Sequence, residues 1–274
     1  MKNLIKNKGP AAIQLILAKN TNSLLPDAII HTIGQPFIEL MTVDSTNNYA
    51  IDQLQNHDAQ HGTAWFACSQ TAGRGQRGKQ WLAAPGQNIT MSVALNTNGL
   101  AVSAQFYLSA AIALAVHDFF SSYAGSESCV KWPNDIYWND RKAGGILIDN
   151  IIRGNNWQWA VVGTGININQ TVFDDVAGRA VSLRQITGKQ FDVIALAKQL
   201  CTAIENRFNE LLKDGEKLFA AYNKVLYKRG QTVKLKKGNI VFDAVIKEVT
   251  GDGRLHVNGA IWDSFTFGEV EWVI

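Results

Sequence analysis

Gly73-Arg74-Gly75-Gln76-Arg77-Gly78-Lys79-Gln80-Trp81 sets three cations and three glycines in nine residues, with no acidic residue among them. How this stretch is read decides the fold. Gly73-x-Gly75-x-x-Gly78 formally matches the dinucleotide-binding fingerprint of doubly wound parallel sheets. That fingerprint needs a strand before it, a helix opening within it, and an acidic residue about 20 positions later. Thr63-Ala64-Trp65-Phe66-Ala67 supplies a strand, but Leu82-Ala83-Ala84-Pro85-Gly86 follows and breaks a helix. Where the acid is due, the chain reads Met91-Ser92-Val93-Ala94-Leu95. A dinucleotide site is therefore rejected. Glycine lets backbone N–H groups approach an anion, and Arg and Lys supply compensating charge. A loop serving only solubility has no use for three glycines, so the segment reads as an anion-binding loop.

A second dense cluster follows at Lys131-Trp132-Pro133-Asn134-Asp135, with Arg141-Lys142-Ala143-Gly144-Gly145 soon after. The 274 residues suffice for one sizeable domain and a small one. Hydrophobic content of 46% and charged content of 18% describe an ordinary globular protein, and a net charge of +3 is too mild to imply nucleic acid. Cys68, Cys129 and Cys201 are odd in number and lack CxxC spacing, which fits a reducing cytosol and excludes a disulfide framework. His31, His57, His61, His117 and His256 form no ligand spacing. The start of the chain lacks a cleavage-site pattern and reads as a short helix. The apolar run from Ala101 to Phe120 contains Ser103, Gln105, Ser109, His117 and Asp118, so it reads as a buried helix and not a membrane span. A cytoplasmic protein is expected.

Residues 1–34 form a polar lead-in. Phe37 to Val43 alternates as a strand, and Asp44-Ser45-Thr46-Asn47 supplies N-cap residues for a helix through Gln55. Strands are expected at 63–69 and 88–95, a long helix at 101–123, and a meander over 128–132, 135–138, 144–150 and 157–167. Helical spacing marks 192–214 and 216–226. Past Tyr227-Lys228-Arg229-Gly230 the pattern becomes short strands at 232–235, 240–249, 255–257, 260–266 and 270–274, as in a small antiparallel barrel. The class is α+β: a mixed-sheet catalytic domain over 35–227, then a β-barrel over 228–274.

Taken in order, these clusters resemble the biotin–protein ligase family. The carrying elements are Asp44-Ser45-Thr46-Asn47, the run from Gln70 to Gly78, Trp81, Lys131 to Asp135, Arg141 to Leu147, and Gly163-Thr164-Gly165-Ile166-Asn167. The resemblance spans residue 36 to the C-terminus. It implies a catalytic fold related to class II aminoacyl-tRNA synthetases with an SH3-like C-terminal domain. It also implies ATP-dependent formation of biotinyl-5′-AMP, with magnesium, then transfer of the biotinyl group to a lysine of a biotin carboxyl carrier protein. Relatives of this kind are monomers or homodimers.

Carboxylate attack on an α-phosphate gathers negative charge, so fixed cations must offset it. Lys142 follows the tight Asn139-Asp140 turn and starts a strand, which aims its ammonium; family analogy places it between the biotin carboxylate and the α-phosphate. Ala143-Gly144-Gly145 leaves room for ligand there. Arg74 and Arg77 suit phosphate and carboxylate oxygens, with Lys131 assisting. Asp135 reads either as an ordinary turn acid or as a group that holds magnesium or orients nucleotide; Asn134 would face the adenylate. In the family the positions of Ser45, Thr46 and Gln70 bind the neutral ureido ring, together with Asn47 and the backbone of Gly73, Gly75 and Gln76. Ser45 and Thr46 also read as helix caps. Trp81, which alone would read as core, shields the adenylate, and Asn167 resembles an adenine-contacting position. Gln76 stands where some relatives carry another arginine. Lys234 is placed to approach ATP. Only 44 residues precede Ser45, whereas a winged DNA-binding domain needs about 60, so no operator binding is expected, and no membrane association. Two rivals stay open: a lipoate–protein ligase, and a phosphate-backbone nucleic-acid module.

Overall fold

The computed structural model describes residues 32–173 and 179–273. The short helix expected near the start of the chain lies outside them. The first half runs β1 (Phe37–Val43), α1 (Thr46–Gln55), β2 (Ala64–Gln70), β3 (Ile89–Asn96), α2 (Gln105–Ala124), β4 (Ser128–Lys131), β5 (Asp135–Trp138), β6 (Arg141–Arg153) and β7 (Asn156–Ile166). These seven strands form one sheet in the order β1-β2-β3-β7-β6-β5-β4. Only β1 and β2 run parallel; every other neighbour is antiparallel. Three helices follow, α3 (Leu183–Thr187), α4 (Val193–Lys213) and α5 (Gly215–Lys224). A five-stranded antiparallel sheet closes the chain, with β8 (Thr232–Lys237), β9 (Ile240–Val249), β10 (Leu255–Asn258), β11 (Ser264–Phe265) and β12 (Glu271–Val273) in the order β11-β10-β9-β8-β12.

Strand alternation sorts the first sheet into two faces. Trp65, Ala94 and Val161 pack against Ala50 and Leu54 of α1. Their neighbours Phe66, Val93 and Val162 turn the other way, into the main core with α2 and α4. Helix α4 earns its place by an apolar stripe (Leu196, Leu200, Ile204, Phe208, Leu211) and by Asp192, which accepts the N–H groups of Ile194 and Ala195 as its cap. Helix α2 is apolar nearly all round, because sheet and helices enclose it. Ile112 and Phe120 are fully buried and contribute about 1.5–3 kcal/mol each.

The second sheet is tied to the first by specific polar groups. Asn223 of α5 donates to the Val249 carbonyl (2.9 Å) and accepts from the Val249 N–H (2.8 Å). The Trp132 indole N–H donates to the Gly253 carbonyl at 3.0 Å. These bonds hold the end of β9 and the turn after it against α5 and the mixed sheet.

Three local expectations are corrected. Trp132 lies outside β4. The strand expected over 260–266 shrinks to Ser264–Phe265, with Trp262 instead packed on Phe242 and Phe265. Helix α3 was not foreseen, although Ser182 and Gln185 form a complete capping box.

Candidate active site

The cationic loop folds as a tight hairpin. Gly75 N–H donates to the Lys79 carbonyl (2.7 Å) and Trp81 N–H to the Gly73 carbonyl (2.9 Å). A Cβ on Gly73 would lie 2.4 Å from the Trp81 carbonyl oxygen, so close backbone approach requires glycine there. Arg77 and Gly78 turn the tip at φ 56° and 73°, the left-handed region that an arginine seldom adopts. The tip is held down by Arg77, whose guanidinium donates to the Gly268 carbonyl (3.2 Å) and lies 5.9 Å from the Phe267 ring centre.

Beneath the hairpin lies a buried polar slot. Ser45 occupies the N-cap position of α1, yet its side chain makes no cap hydrogen bond. Gln70 Oε1 accepts from the Thr46 N–H (2.8 Å) and the Thr46 hydroxyl (3.1 Å). Ser92 Oγ lies 2.7 Å from Thr46 Oγ1 and 2.6 Å from Asn47 Oδ1, and Asn47 Nδ2 donates to Asp149 Oδ2 at 2.8 Å. Ser92 and Asp149 were missed in the sequence. Ser92 left a signal there: Thr90 and Ser92 alternate with Ile89, Met91 and Val93 in a strand buried throughout.

The glycines of Gly163-Thr164-Gly165 make room for this arrangement. A Cβ on Gly163 would fall 2.1 Å from Asn47 Oδ1, and one on Gly165 would fall 2.3 Å from the Trp81 indole. Asn47 and Trp81 thus lie directly on the backbone of β7.

Lys142 pairs with Asp135 (Nζ–Oδ1 2.8 Å). Lys142 and Gly145 are three apart and would face opposite sides of a regular strand. The register between β5 and β6 shifts there: Ile136 faces Gly144 and Tyr137 faces Lys142, leaving Ala143 as the extra residue. This bulge brings Lys142 and Gly145 to the same face. Gly145 leaves space for the ion pair, since its Cβ would sit 3.3 Å from Asp135 Oδ1 and 3.4 Å from Lys142 Nζ. Lys131 is buried and surrounded by aromatic rings, its Nζ 4.6 Å from the Tyr137 centre, 5.2 Å from Trp272 and 5.7 Å from Tyr227. Burial pulls its pKa down to about 8, with Lys142, Arg179 and Lys79 adding to the fall against the pull of Asp135.

One cavity of about 700 Å³ joins these parts. Ser45, Thr46, Asn47, Gln70, Gly75, Gln76, Trp81, Asn134 and Gly145 line it. Arg74, Arg77, Lys79, Lys131, Lys142 and Arg179 oppose only Asp135 and Glu271 among its charged walls. Arg74 is met from behind by Asp149, which leaves five cations against two carboxylates, an excess that still favours a polyanion. Part of the wall, at Phe267, Gly268 and Trp272, comes from the C-terminal sheet and was not foreseen.

Some expected residues have other tasks. Gly73 and Gly144 are outside the cavity lining; a Cβ on Gly144 would meet the Gly165 carbonyl oxygen at 2.8 Å, so it serves the sheet. Asn167 is buried outside the lining, its amide donating to the carbonyls of Val181 (3.1 Å) and Lys142 (3.4 Å). It braces the Lys142 strand instead of facing an adenine. Lys234 pairs with Asp243 at 3.1 Å, away from the cavity lining. Among the described residues no three His, Cys, Asp or Glu gather to hold a metal by themselves, and Asp135, the residue expected to meet magnesium, pairs with Lys142.

Residues 40–167 match the model of the biotin/lipoate A/B protein ligase family, and that span contains the slot, the hairpin, Lys131 and Lys142. These residues belong to the biotin/lipoate A/B protein ligase family. The chain is 32% identical over 187 residues to the bifunctional ligase/repressor BirA of Bacillus subtilis, covering 67% of this chain and 57% of that protein. It thus spans little more than half the length of that relative. It is 28% identical over 198 residues to the biotin–[acetyl-CoA-carboxylase] ligase of Mycobacterium tuberculosis, covering 71% of this chain and 72% of that one. The solved biotin protein ligase of Aquifex aeolicus in complex with biotin and ATP superposes with a TM-score of 0.71 at 25% identity, covering 86% of this chain and 97% of that chain. The chain shares with that structure its α+β architecture.

Proposed function

We propose that this chain is a biotin–protein ligase that activates biotin with ATP and transfers it to a lysine of a biotin carboxyl carrier domain. The observation that carries this is the union, in one cavity, of a short-armed neutral polar slot and a dense cationic wall. Ser45, Thr46, Asn47 and Gln70 offer fixed donors and acceptors of the kind a ureido ring needs, whereas a lipoyl dithiolane would want an apolar slot. A biotin carboxylate oxygen attacks the α-phosphorus and pyrophosphate leaves. Lys142 meets the charge that gathers between those two groups, while Arg77 and Lys131 face phosphate oxygens and Arg74, paired with Asp149, holds the hairpin over them. The Trp81 indole and the hairpin shield the mixed anhydride from water. The carrier's lysine nitrogen then attacks the acyl carbon and AMP departs. Magnesium arrives with ATP in this reading, and no step is routed through it.

The test is pyrophosphate exchange that requires biotin, followed by labelling of a carrier domain with biotin and lipoate offered separately. Lipoate incorporation without biotin incorporation would overturn the reading. Salt-sensitive nucleic-acid binding in place of exchange would favour a phosphate-backbone module instead.

Lys131 adds a pH prediction. Its pKa of about 8 lies below the ordinary lysine value, so the cation is present below that pH and lost as pH rises through it. kcat/KM for ATP should therefore hold below about 8 and fall several-fold above it. Lys131→Arg should abolish that alkaline limb, since arginine stays protonated. An identical limb in the arginine variant would remove Lys131 from phosphate binding.

A further inference from the structure

Asp149 lies on β6, and no expectation from the sequence reached it. Its two carboxylate oxygens take the Arg74 guanidinium as a fork, at 3.1 Å to one terminal nitrogen and 3.3 Å to the other. The nearer nitrogen also donates to Asn48 Oδ1 at 2.8 Å. The same Asp149 oxygen that receives Arg74 receives the amide of Asn47. One carboxylate therefore joins the polar slot to the base of the cationic hairpin. Isolated surface ion pairs contribute little, but this one is two-pronged, supported by an amide on each partner, and only a quarter exposed on the Asp149 side.

We infer that Asp149 is the positioning residue that anchors the hairpin, through Arg74, over the slot. Asn47 cannot shift without disturbing the carboxylate, and the carboxylate cannot shift without freeing Arg74. Slot and hairpin are thereby coupled. Anchoring slows escape of whatever the hairpin covers and has little part in bond making, since Asp149 is not among the cavity-lining residues.

The direct test needs no turnover. Trypsin cuts after Arg74, Arg77 and Lys79, so cleavage within the hairpin reports its opening. Asp149→Asn should raise the initial rate of those cuts about tenfold or more, with Tm nearly unchanged, while Asp149→Glu stays within about threefold of the parent. Asn48→Ala removes the remaining acceptor from the exposed side of α1 and should also raise cleavage, by a smaller factor. Parent-like cleavage in both Asp149→Asn and Asn48→Ala would overturn the anchor. A second readout rests on the proposed ligase activity: Asp149→Asn should release the acyl-adenylate about tenfold faster, while its single-turnover formation at saturating substrates changes by less than about threefold. Formation slowed as much as retention would overturn the positioning role. If the parent protein shows no biotin-dependent exchange, the ligase reading fails alone, because the cleavage rates still decide the anchor.

Discussion

Lys142→Ala lowers the single-turnover rate of biotinyl-adenylate formation by about 10²–10³-fold. The side chain is held by Asp135 at 2.8 Å on a strand bulge, so its ammonium is aimed before substrate arrives. In a reaction that brings a carboxylate up to a triphosphate, no neutral side chain substitutes for it. The fold should survive, because the pair is partly exposed and such pairs contribute about 1 kcal/mol or less. Lys142→Arg should recover only a minor part, since a planar fork cannot occupy the space that Gly145 leaves for a compact ammonium. Quenched-flow measurement of the adenylate decides; a rate near that of the parent excludes the role.

The second large effect is expected at Gly163. Strand register places it opposite Ser92 on β3 and opposite Leu147 on β6, with Asn47 lying across it. Alanine there would drive a methyl group into the Asn47 carboxamide and strip it from Ser92 and Asp149. Overpacking of this kind costs about 1–3 kcal/mol, and biotin affinity should fall with it. The diagnostic is a double-mutant cycle. Asn47→Ala makes the space that Gly163→Ala needs, so the double variant should be more stable than the sum of the singles predicts. Additive Tm losses would show that the two positions do not share one volume.

Most of the mixed sheet was legible in the sequence because its strands alternate and its turns carry Pro133-Asn134, Asn139-Asp140 and Gly154-Asn155. The long α2 was legible by length and apolarity, since no amphipathic stripe marks a helix enclosed on all sides. Gln70 was legible because it adjoins the hairpin along the chain, and Ser45, Thr46 and Asn47 only through the resemblance that Asp44-Ser45-Thr46-Asn47 carries. Ser92, Asp149 and the wall from Phe267 to Trp272 were not. Register and docking bring them in, and beyond the alternation of Thr90 and Ser92 within β3 they leave no local pattern. The bulge at Ala143 was equally silent, yet it decides which way Lys142 points. Asn167 shows the converse: a residue inside a recognisable motif whose amide is spent on the carbonyls beside it.

Trp272 belongs to the second sheet, yet its ring lies beside Lys131 of the first. That ring reaches the ammonium only when the two sheets are docked, so a mixed sheet folded alone would leave Lys131 more open to water and closer to ordinary lysine basicity. Titration of this one lysine therefore reports whether the two halves have come together.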